Sequence, residues 1–436
     1  MKKIVFFCLF LISLEARGDF FDHATVSYYA VHMPSGKVLL DQNSDKSLVP
    51  ASCMKLVTTG AALSLLGSES VFQTDLAYDG FIDKEGVLQG DLYVVGGGDP
   101  SLGSDRFGSS YQKQLSIWVS AVIAAGIKKI NGKIVGDPSI WEEPMAVPSW
   151  QWEDLGNYYG AGASGLSFHE NMYFLFLKSG SEIGEAASLL RTDPDMSCLI
   201  LKNQAKTAAR GSGDQVVIYG SEVSFEQKIL GTIPIGEDFF VVKGAIPNPS
   251  ILVSLLLKAE LQKCGILVLE ESLENKKEKT VIHTTYSPCL SEIVYETNQN
   301  SINLFAEHLL KKMGGGSLSG GIKKVFDFWR EQSIDVEGFY MADGSGLSRK
   351  NLITTKQLVS MLLFMNKSKE FSSFKDSLVK TGSVSGKSGF MSLIRAYSGY
   401  VNDIAFCIII NQCPDGALTN CKIQEFINSL QALSVK

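Results

Sequence analysis

The sequence contains few of the residues from which metal sites are usually built. Its 436 residues include five histidines and eight cysteines, and no two cysteines have the C-x-x-C spacing. Structural zinc sites commonly combine that spacing with paired histidines. Because the histidines are also dispersed along the chain, the sequence predicts no metal centre.

The chain also lacks an excess of positive charge and a long apolar run. Its formal net charge is −6 at pH 7, which gives no electrostatic footprint for nucleic acid. The N-terminal run IVFFCLFLI is too short to span a bilayer. The run ILVSLLLKAELQKCGILVLE is interrupted by Ser254, Lys258 and Glu260, so it predicts a helix leading to a strand rather than a membrane span.

The N-terminus has the layout of a secretory signal peptide. Two lysines precede the apolar run, and small residues at Ala16 and Gly18 offer a cleavage site before Asp19. We therefore expect residues 1–18 to be removed and the mature protein to be exported to the periplasm. Loss of Cys8 leaves seven scattered cysteines, an odd set that does not indicate a disulfide framework.

The remaining chain alternates between strand-like and helical patterns. TVSYYAVHMPSGKVLLDQNSD predicts a β-hairpin, and CMKLVTTGAALSLLG predicts a helix that ends at Gly67. From about residue 76 to 280, short apolar runs separated by Gly, Asp and Pro indicate β-rich modules. Helical patterns then return, and the runs IRAYSGYV and IAFCIIINQ predict two closing strands.

The segment PASCMKL contains a Ser-x-x-Lys pattern formed by Ser52 and Lys55. On a helix the two side chains share one face. A serine hydroxyl needs a neighbouring base to become a nucleophile, and a buried lysine can be that base because burial disfavours its charged form. The pattern alone is not specific, since it recurs at Ser110–Lys113 and Ser372–Lys375.

Two further patterns follow in the second half of the chain. Ser301 and Asn303 open an amphipathic helical segment, where Ser301 is equally well explained as a helix N-cap. A Lys-hydroxyl-Gly triplet occurs twice, starting at Lys380 and at Lys387. Such a lysine on a strand can hold a substrate carboxylate, and the glycine would leave room for the substrate's backbone. A solvated lysine in a turn would give the same letters.

Taken in order, Ser-x-x-Lys, Ser-x-Asn and Lys-(Thr/Ser)-Gly resemble the motifs of penicillin-binding proteins and serine β-lactamases. Ser301 lies 249 residues after Ser52, far more than a compact β-lactamase leaves. The chain therefore resembles the low-molecular-mass class C penicillin-binding proteins, the D-alanyl-D-alanine carboxypeptidase/endopeptidase group of peptidase family S13. The segments GDLYVVGGGDPSL, WQWEDLGNYYGAGASGLSFHEN and DGSGLSRKNLITTKQL carry the resemblance along the chain.

The resemblance implies an α+β multidomain fold. Residues 19–75 and 280–436 would form a discontinuous transpeptidase-like domain, an antiparallel sheet flanked by helices. Residues 76–279 would form inserted β-rich domains.

The resemblance also implies an activity and a set of roles. Ser52 would attack the penultimate D-alanine of peptidoglycan stem peptides with Lys55 as base, Ser301 would relay a proton and Asn303 would orient the acyl group. Penicillins would acylate Ser52, and no cofactor or nucleic acid is implied. The competing interpretations are a β-lactamase on the same scaffold and a non-catalytic protein that binds the cell wall.

Three further residues are implied to meet the side chain of the substrate's diamino acid. Asp154 would pair with its ammonium group, Tyr159 would pack against its stem, and Arg349 would bind its carboxylate. The alternative is that Asp154 caps a turn and Arg349 forms a surface ion pair.

The spacing before the next strand distinguishes the two lysine triplets. In the family the third-motif lysine precedes the glycine of a Gly-Tyr pair by about a dozen residues, and Lys387 lies 12 residues before Gly399 whereas Lys380 lies 19 before it. We therefore expect Lys387, with Ser388, Gly389 and Phe390, to form the third motif. Lys387 would hold the substrate carboxylate, and the backbone N–H of Phe390, with that of Ser52, would bind the oxyanion.

Overall fold

The computed structural model describes residues 23–142, 144–271 and 278–434. The predicted signal peptide and Cys8 lie outside these residues. Among the described residues, no helix combines the length and the apolar character needed to cross a membrane. Within the same ranges, no group of three or more His, Cys, Asp or Glu side chains is arranged to hold a metal ion.

The strands are distributed over several sheets, and their bounds are as follows: β1 (Thr25–His32), β2 (Lys37–Gln42), β3 (Gln73–Tyr78), β4 (Phe81–Ile82), β5 (Val87–Gln89), β6 (Leu92–Val95), β7 (Lys129–Ile130), β8 (Ile134–Asp137), β9 (Met172–Lys178), β10 (Ser188–Asp193), β11 (Ile200–Asn203), β12 (Lys206–Ala208), β13 (Val217–Ser221), β14 (Ser224–Leu230), β15 (Thr232–Pro234), β16 (Phe240–Ala245), β17 (Leu267–Val268), β18 (Thr280–Tyr286), β19 (Val379–Thr381), β20 (Val384–Met391), β21 (Ile394–Val401) and β22 (Ile404–Asn411).

The α-helices are α1 (Met54–Leu66), α2 (Tyr111–Ala124), α3 (Trp152–Leu155), α4 (Pro249–Lys263), α5 (Leu290–Gln299), α6 (Asn303–Met313), α7 (Leu318–Glu331), α8 (Thr355–Lys367), α9 (Phe371–Asp376) and α10 (Gly416–Ser434). A 3-10 turn, Ala51–Cys53, leads into α1. The predicted stop of α1 at Gly67 is confirmed, because Gly67 is its C-cap.

The two ends of the described chain meet in one antiparallel sheet with the order β19-β20-β21-β22-β1-β2. β1 and β2 form the predicted hairpin, and β1 pairs along its whole length with β22. Every residue of β22 is buried, because apolar cores cover both faces of the sheet. One core lies against α1 and α5–α9, and the other lies against α10.

The segment between α1 and α5 has two further hydrophobic cores. The first combines the sheets β17-β7-β5-β4 and β18-β3-β6-β8 with α2 and α4. The second lies among β9–β16. β18 pairs with β3. The predicted boundaries of the inserted domains, at residues 75 and 280, both fall at this strand pair. The division of the chain into domains stays a prediction. The predicted helix-to-strand passage at residues 251–270 is confirmed by α4 and β17.

Candidate active site

Ser52 lies in the 3-10 turn that precedes α1, and its backbone is held from two sides. The preceding residue, Ala51, has a left-handed backbone with φ of 46°. A Cβ on Gly346 would lie 1.9 Å from the carbonyl oxygen of Ala51, and a Cβ on Gly389 would lie 2.5 Å from that of Pro50. Both glycines therefore permit close backbone approach to this turn.

This contact gives Gly389 a different role from the predicted one. We expected its missing side chain to leave room for the substrate backbone. The space is instead taken by the chain itself, since the carbonyl oxygen of Pro50 occupies it.

The ammonium group of Lys55 is fully buried and has three hydrogen-bond acceptors. Its Nζ lies 3.1 Å from Ser52 Oγ, 2.6 Å from Asn303 Oδ1 and 2.7 Å from the carbonyl oxygen of Ser345. Asn303 Nδ2 donates in turn to the carbonyl oxygen of Tyr159 at 2.8 Å, which directs Oδ1 towards Lys55. A neutral amine has two N–H groups and one lone pair. When Asn303 and Ser345 accept both N–H groups, the lone pair faces Ser52.

Burial lowers the pKa of Lys55 well below its usual value, and the nearby charge of Lys387 lowers it further. The carboxyl groups of Asp343 and Glu307 act in the opposite direction. The net direction favours the neutral amine, which is the form that can accept a proton from Ser52.

Ser301 has a left-handed backbone, with φ of 56°. The N-cap of α6 is Ile302, so the interpretation of Ser301 as a helix N-cap is wrong. Its Oγ instead accepts a hydrogen bond from Lys387 Nζ at 3.0 Å. Non-glycine residues rarely adopt this conformation, and where they do they often lie at functional sites.

Lys387 lies on β20, which pairs with β21 so that Lys387 is opposite Ser398. Its side chain is almost fully buried, and burial lowers the pKa of its ammonium to about 8. Lys380 lies on the edge strand β19, where it is largely exposed and pairs with Asp376 at 2.8 Å. The structure thus brings Lys387, and not Lys380, to Ser301.

The other predicted residues of the third motif are placed differently. The contact between Ser388 and Lys387 is made by the backbone of Ser388, whose carbonyl oxygen accepts a hydrogen bond from Lys387 Nζ at 2.8 Å. Its side chain faces the opposite side of β20 and lines a separate cavity of about 370 Å³ against α10. Phe390 lines both this cavity and the cleft that contains Ser52.

The cleft around Ser52 has a volume of about 590 Å³ and is lined by Asp154, Tyr159 and Arg349 among others. Burial raises the pKa of Asp154, against a hydrogen bond from the backbone of Gln151 and the charge of Arg349. Burial also raises the pKa of Tyr159 to about 12. Arg349 donates to Gln151 Oε1 at 3.2 Å and to the carbonyl oxygen of Ser392 at 3.1 Å. The structure therefore brings all three to one cleft with Ser52.

The other Ser-x-x-Lys segments have local structural explanations. Ser110 is the N-cap of α2, and its hydroxyl accepts from the backbone N–H of Lys113. Ser372 lies in the short helix α9, where its Oγ contacts Asp376 at 3.3 Å.

Comparison with known proteins identifies the family of the chain. Residues 19–392 match the D-Ala-D-Ala carboxypeptidase 3 (S13) family. The chain belongs to this family. The predicted enzyme class, a serine-type D-Ala-D-Ala carboxypeptidase, is confirmed by that membership.

The chain is also similar to individual carboxypeptidases. It is 27% identical over 420 residues to a D-alanyl-D-alanine carboxypeptidase of Actinomadura, covering 87% of this chain and 76% of the relative. It is 24% identical over 388 residues to the carboxypeptidase DacB of Haemophilus influenzae, covering 85% and 77%.

A solved structure shows the fold. Penicillin-binding protein 4 of Haemophilus influenzae matches with a TM-score of 0.77 at 21% identity, over 91% of this chain and 92% of that one. The same protein complexed with a β-lactam matches with a TM-score of 0.76. The predicted fold class, a transpeptidase-like fold with additional domains, is confirmed.

The family motifs do not include every group that surrounds Lys55. The carbonyl oxygens of Ser345 and Tyr159 and the buried acids Glu307 and Asp343 were not predicted. Backbone carbonyls have no sequence signal of their own. Glu307 did leave one, because it is an acidic residue within the run LFAEHLL, in which His308 is the only other polar residue.

Proposed function

We propose that the protein hydrolyses the D-alanyl-D-alanine end of peptidoglycan stem peptides through an acyl-enzyme on Ser52. The observation that supports this most directly is the set of three contacts made by Lys55 Nζ, to Ser52 Oγ and to two groups that accept its N–H bonds. This set aims the lone pair of a neutral lysine at one hydroxyl.

Acylation begins when Lys55 takes the proton of Ser52 and Oγ attacks the carbonyl carbon of the penultimate D-alanine. Backbone N–H groups of Ser52 and Phe390 hold the oxyanion. Ser301 passes a proton to the nitrogen of the departing D-alanine, and Lys387 holds that residue's carboxylate. A water molecule then attacks the ester, restores the Ser52 hydroxyl and releases the shortened peptide. On a cross-linked peptide the same steps give endopeptidase activity.

Benzylpenicillin tests this mechanism, because it resembles the D-alanyl-D-alanine terminus and would acylate the same hydroxyl. Mass spectrometry of the intact protein should show the addition of one penicillin, and peptide mapping should place it on Ser52. Rapid turnover of the adduct would favour a β-lactamase. Absence of an adduct would favour a non-catalytic protein that binds the cell wall.

The N-terminal sequence supports export to the periplasm, where these substrates are found. Its two lysines, apolar run and small-residue cleavage site have the order of a secretory signal. N-terminal sequencing of protein recovered from the periplasm should start at Asp19.

The two lysines of the site predict a bell-shaped pH profile for acylation by benzylpenicillin. At low pH Lys55 is protonated and cannot act as base, so the rate falls. Above about pH 8 Lys387 loses its proton and no longer holds a carboxylate, so the rate of the free enzyme falls again. Lys387→Arg keeps its charge throughout this range. The descending limb should therefore be absent from that variant, and its persistence near pH 8 would contradict the role of Lys387.

Asp154→Asn should weaken cleavage of a stem peptide that carries a diamino acid by roughly tenfold or more, through loss of one charge-assisted hydrogen bond. Acylation by benzylpenicillin should change little, because penicillin lacks that side chain. The measurement is kcat/KM for both compounds. Glu153→Gln is a matched control, since Glu153 is the neighbouring acid and also lines the cleft. Equal losses for peptide and penicillin would remove Asp154 from substrate recognition.

A further inference from the structure

Glu307 is a buried acid on α6, one turn beyond Asn303, and none of the predicted catalytic steps uses it. Its side chain is almost entirely inaccessible to solvent. Oε2 accepts the backbone N–H of Gly344 at 3.0 Å, and Oε1 accepts that of Ser345 at 2.8 Å. Both carboxylate oxygens are therefore bound to two consecutive amides of one turn.

The same turn provides one of the acceptors of Lys55. The carbonyl oxygen of Ser345 lies 2.7 Å from Lys55 Nζ. From the other side, Thr58 on α1 donates its hydroxyl to the carbonyl oxygen of Gly344 at 2.7 Å. Glu307 and Thr58 thus hold the Gly344–Ser345 peptide groups from two helices, and Ser345 presents its carbonyl to the lysine.

The rest of this loop is held by a different acid. Asp343 accepts the backbone N–H groups of Gly346 and Ser348, the side-chain amide of Asn351 and the indole N–H of Trp150. These contacts fix the part of the loop that follows Ser345. The hydrogen bonds of Glu307 go to Gly344 and Ser345, and Ser345 carries the carbonyl that accepts from Lys55. Glu307 therefore holds a different part of the loop from Asp343.

We propose that Glu307 is a positioning residue for acylation, whose carboxyl group holds the Gly344–Ser345 turn so that the Ser345 carbonyl orients the amine of Lys55 towards Ser52. This inference rests on the proposed function, because it takes Ser52 as nucleophile and Lys55 as base.

Electrostatics give Glu307 a second, separable effect on Lys55. Burial, followed by the charge of Asp343, raises the pKa of Glu307 to about 7, although hydrogen bonds from the turn act against this. The charged and titratable groups that act on Lys55 are Lys387, Asp343, Glu307 and Cys53, and Glu307 raises the pKa of Lys55. Above about pH 7, where Glu307 is ionised, loss of its negative charge should therefore favour the neutral lysine, so the ascending limb should reach its plateau at a lower pH.

The test is Glu307→Gln, with the rate of acylation by benzylpenicillin measured across pH. Glutamine keeps the shape but has one acceptor oxygen, so it cannot accept both amides of the turn. We expect the maximal rate to fall roughly tenfold, as for one lost hydrogen bond in the transition state. We also expect the ascending limb to move to lower pH. Glu370→Gln is the matched control, because Glu370 is a buried glutamate whose ion pair is with Lys369, and it should change neither quantity.

The outcomes separate a positioning role from a general loss of stability. A lower rate with an unmoved ascending limb would overturn the proposal, and so would a profile identical to that of the unmodified protein. If Glu307→Gln does not fold, Thr58→Val releases the same turn without changing any charge. It should lower the maximal rate and leave the limb in place, and an unchanged rate would overturn the proposal. Labelling of Ser52 in the unmodified protein tests the proposed function separately.

Discussion

Ser52→Ala should abolish covalent labelling of the protein by benzylpenicillin. The change removes the only atom that the mechanism uses to form the ester, so the expected loss is complete rather than partial. The fold should survive, because the Ser52 hydroxyl contributes one hydrogen bond, worth about 1 kcal/mol, and Lys55 keeps its contacts to Asn303 and Ser345. Intact-protein mass spectrometry measures the labelling, and a thermal unfolding curve shows whether the structure is retained.

Ser372→Ala is the matched control for this experiment. Ser372 also belongs to a Ser-x-x-Lys segment, but it lies in α9 with its hydroxyl near Asp376. This variant should be labelled as fast as the unmodified protein. Labelling of Ser52→Ala at another serine would show that the nucleophile has been assigned to the wrong motif.

The helices and strands that can be predicted best from the sequence are those whose residue pattern lies within one short segment. The β1–β2 hairpin, α1 with its Gly67 stop and the strands β21 and β22 follow from alternation, periodicity and turn residues within one short window. Helix α2 was missed although its signals were present. Its N-cap, Ser110, also belongs to a Ser-x-x-Lys segment, and the short apolar runs separated by Gly, Asp and Pro around it favour strands over the helical period of YQKQLSIWVSAVIA.

The parts of the site that could not be predicted depend on tertiary contacts. Ser301 has the sequence context of an N-cap, and its left-handed backbone becomes evident only when α5 and α6 are placed together. The carbonyl of Tyr159 reaches Asn303 from a segment 144 residues away in sequence. Gly389 was predicted to face substrate, yet it packs on Pro50. In each case the residue type is compatible with several roles, and the packing of distant segments selects one.

The two Lys-hydroxyl-Gly triplets illustrate how tertiary burial distinguishes two similar local patterns. β20 pairs with β21 along its whole length but with β19 only over Val384–Gly386, so Lys387 lies just beyond the part of β20 that β19 covers. Its side chain is nevertheless almost fully buried, whereas Lys380 lies on the edge strand and is largely exposed. A buried lysine is desolvated, which strengthens its interaction with a carboxylate. An edge lysine remains in water, where its pair with Asp376 contributes little.

Lys387→Ala should therefore lower the rate of acylation by benzylpenicillin by roughly a hundredfold, because the charged hydrogen bond to the substrate carboxylate is lost along with the contact to Ser301. Lys380→Ala is the matched control and should leave the rate within about twofold, since an exposed ion pair has little effect. Both rates are measured with the same penicillin at a pH below 8, where Lys387 is protonated. A reversed result, with Lys380→Ala as the damaged variant, would mean that the first triplet is the functional third motif and that β20 is not the strand that meets the substrate.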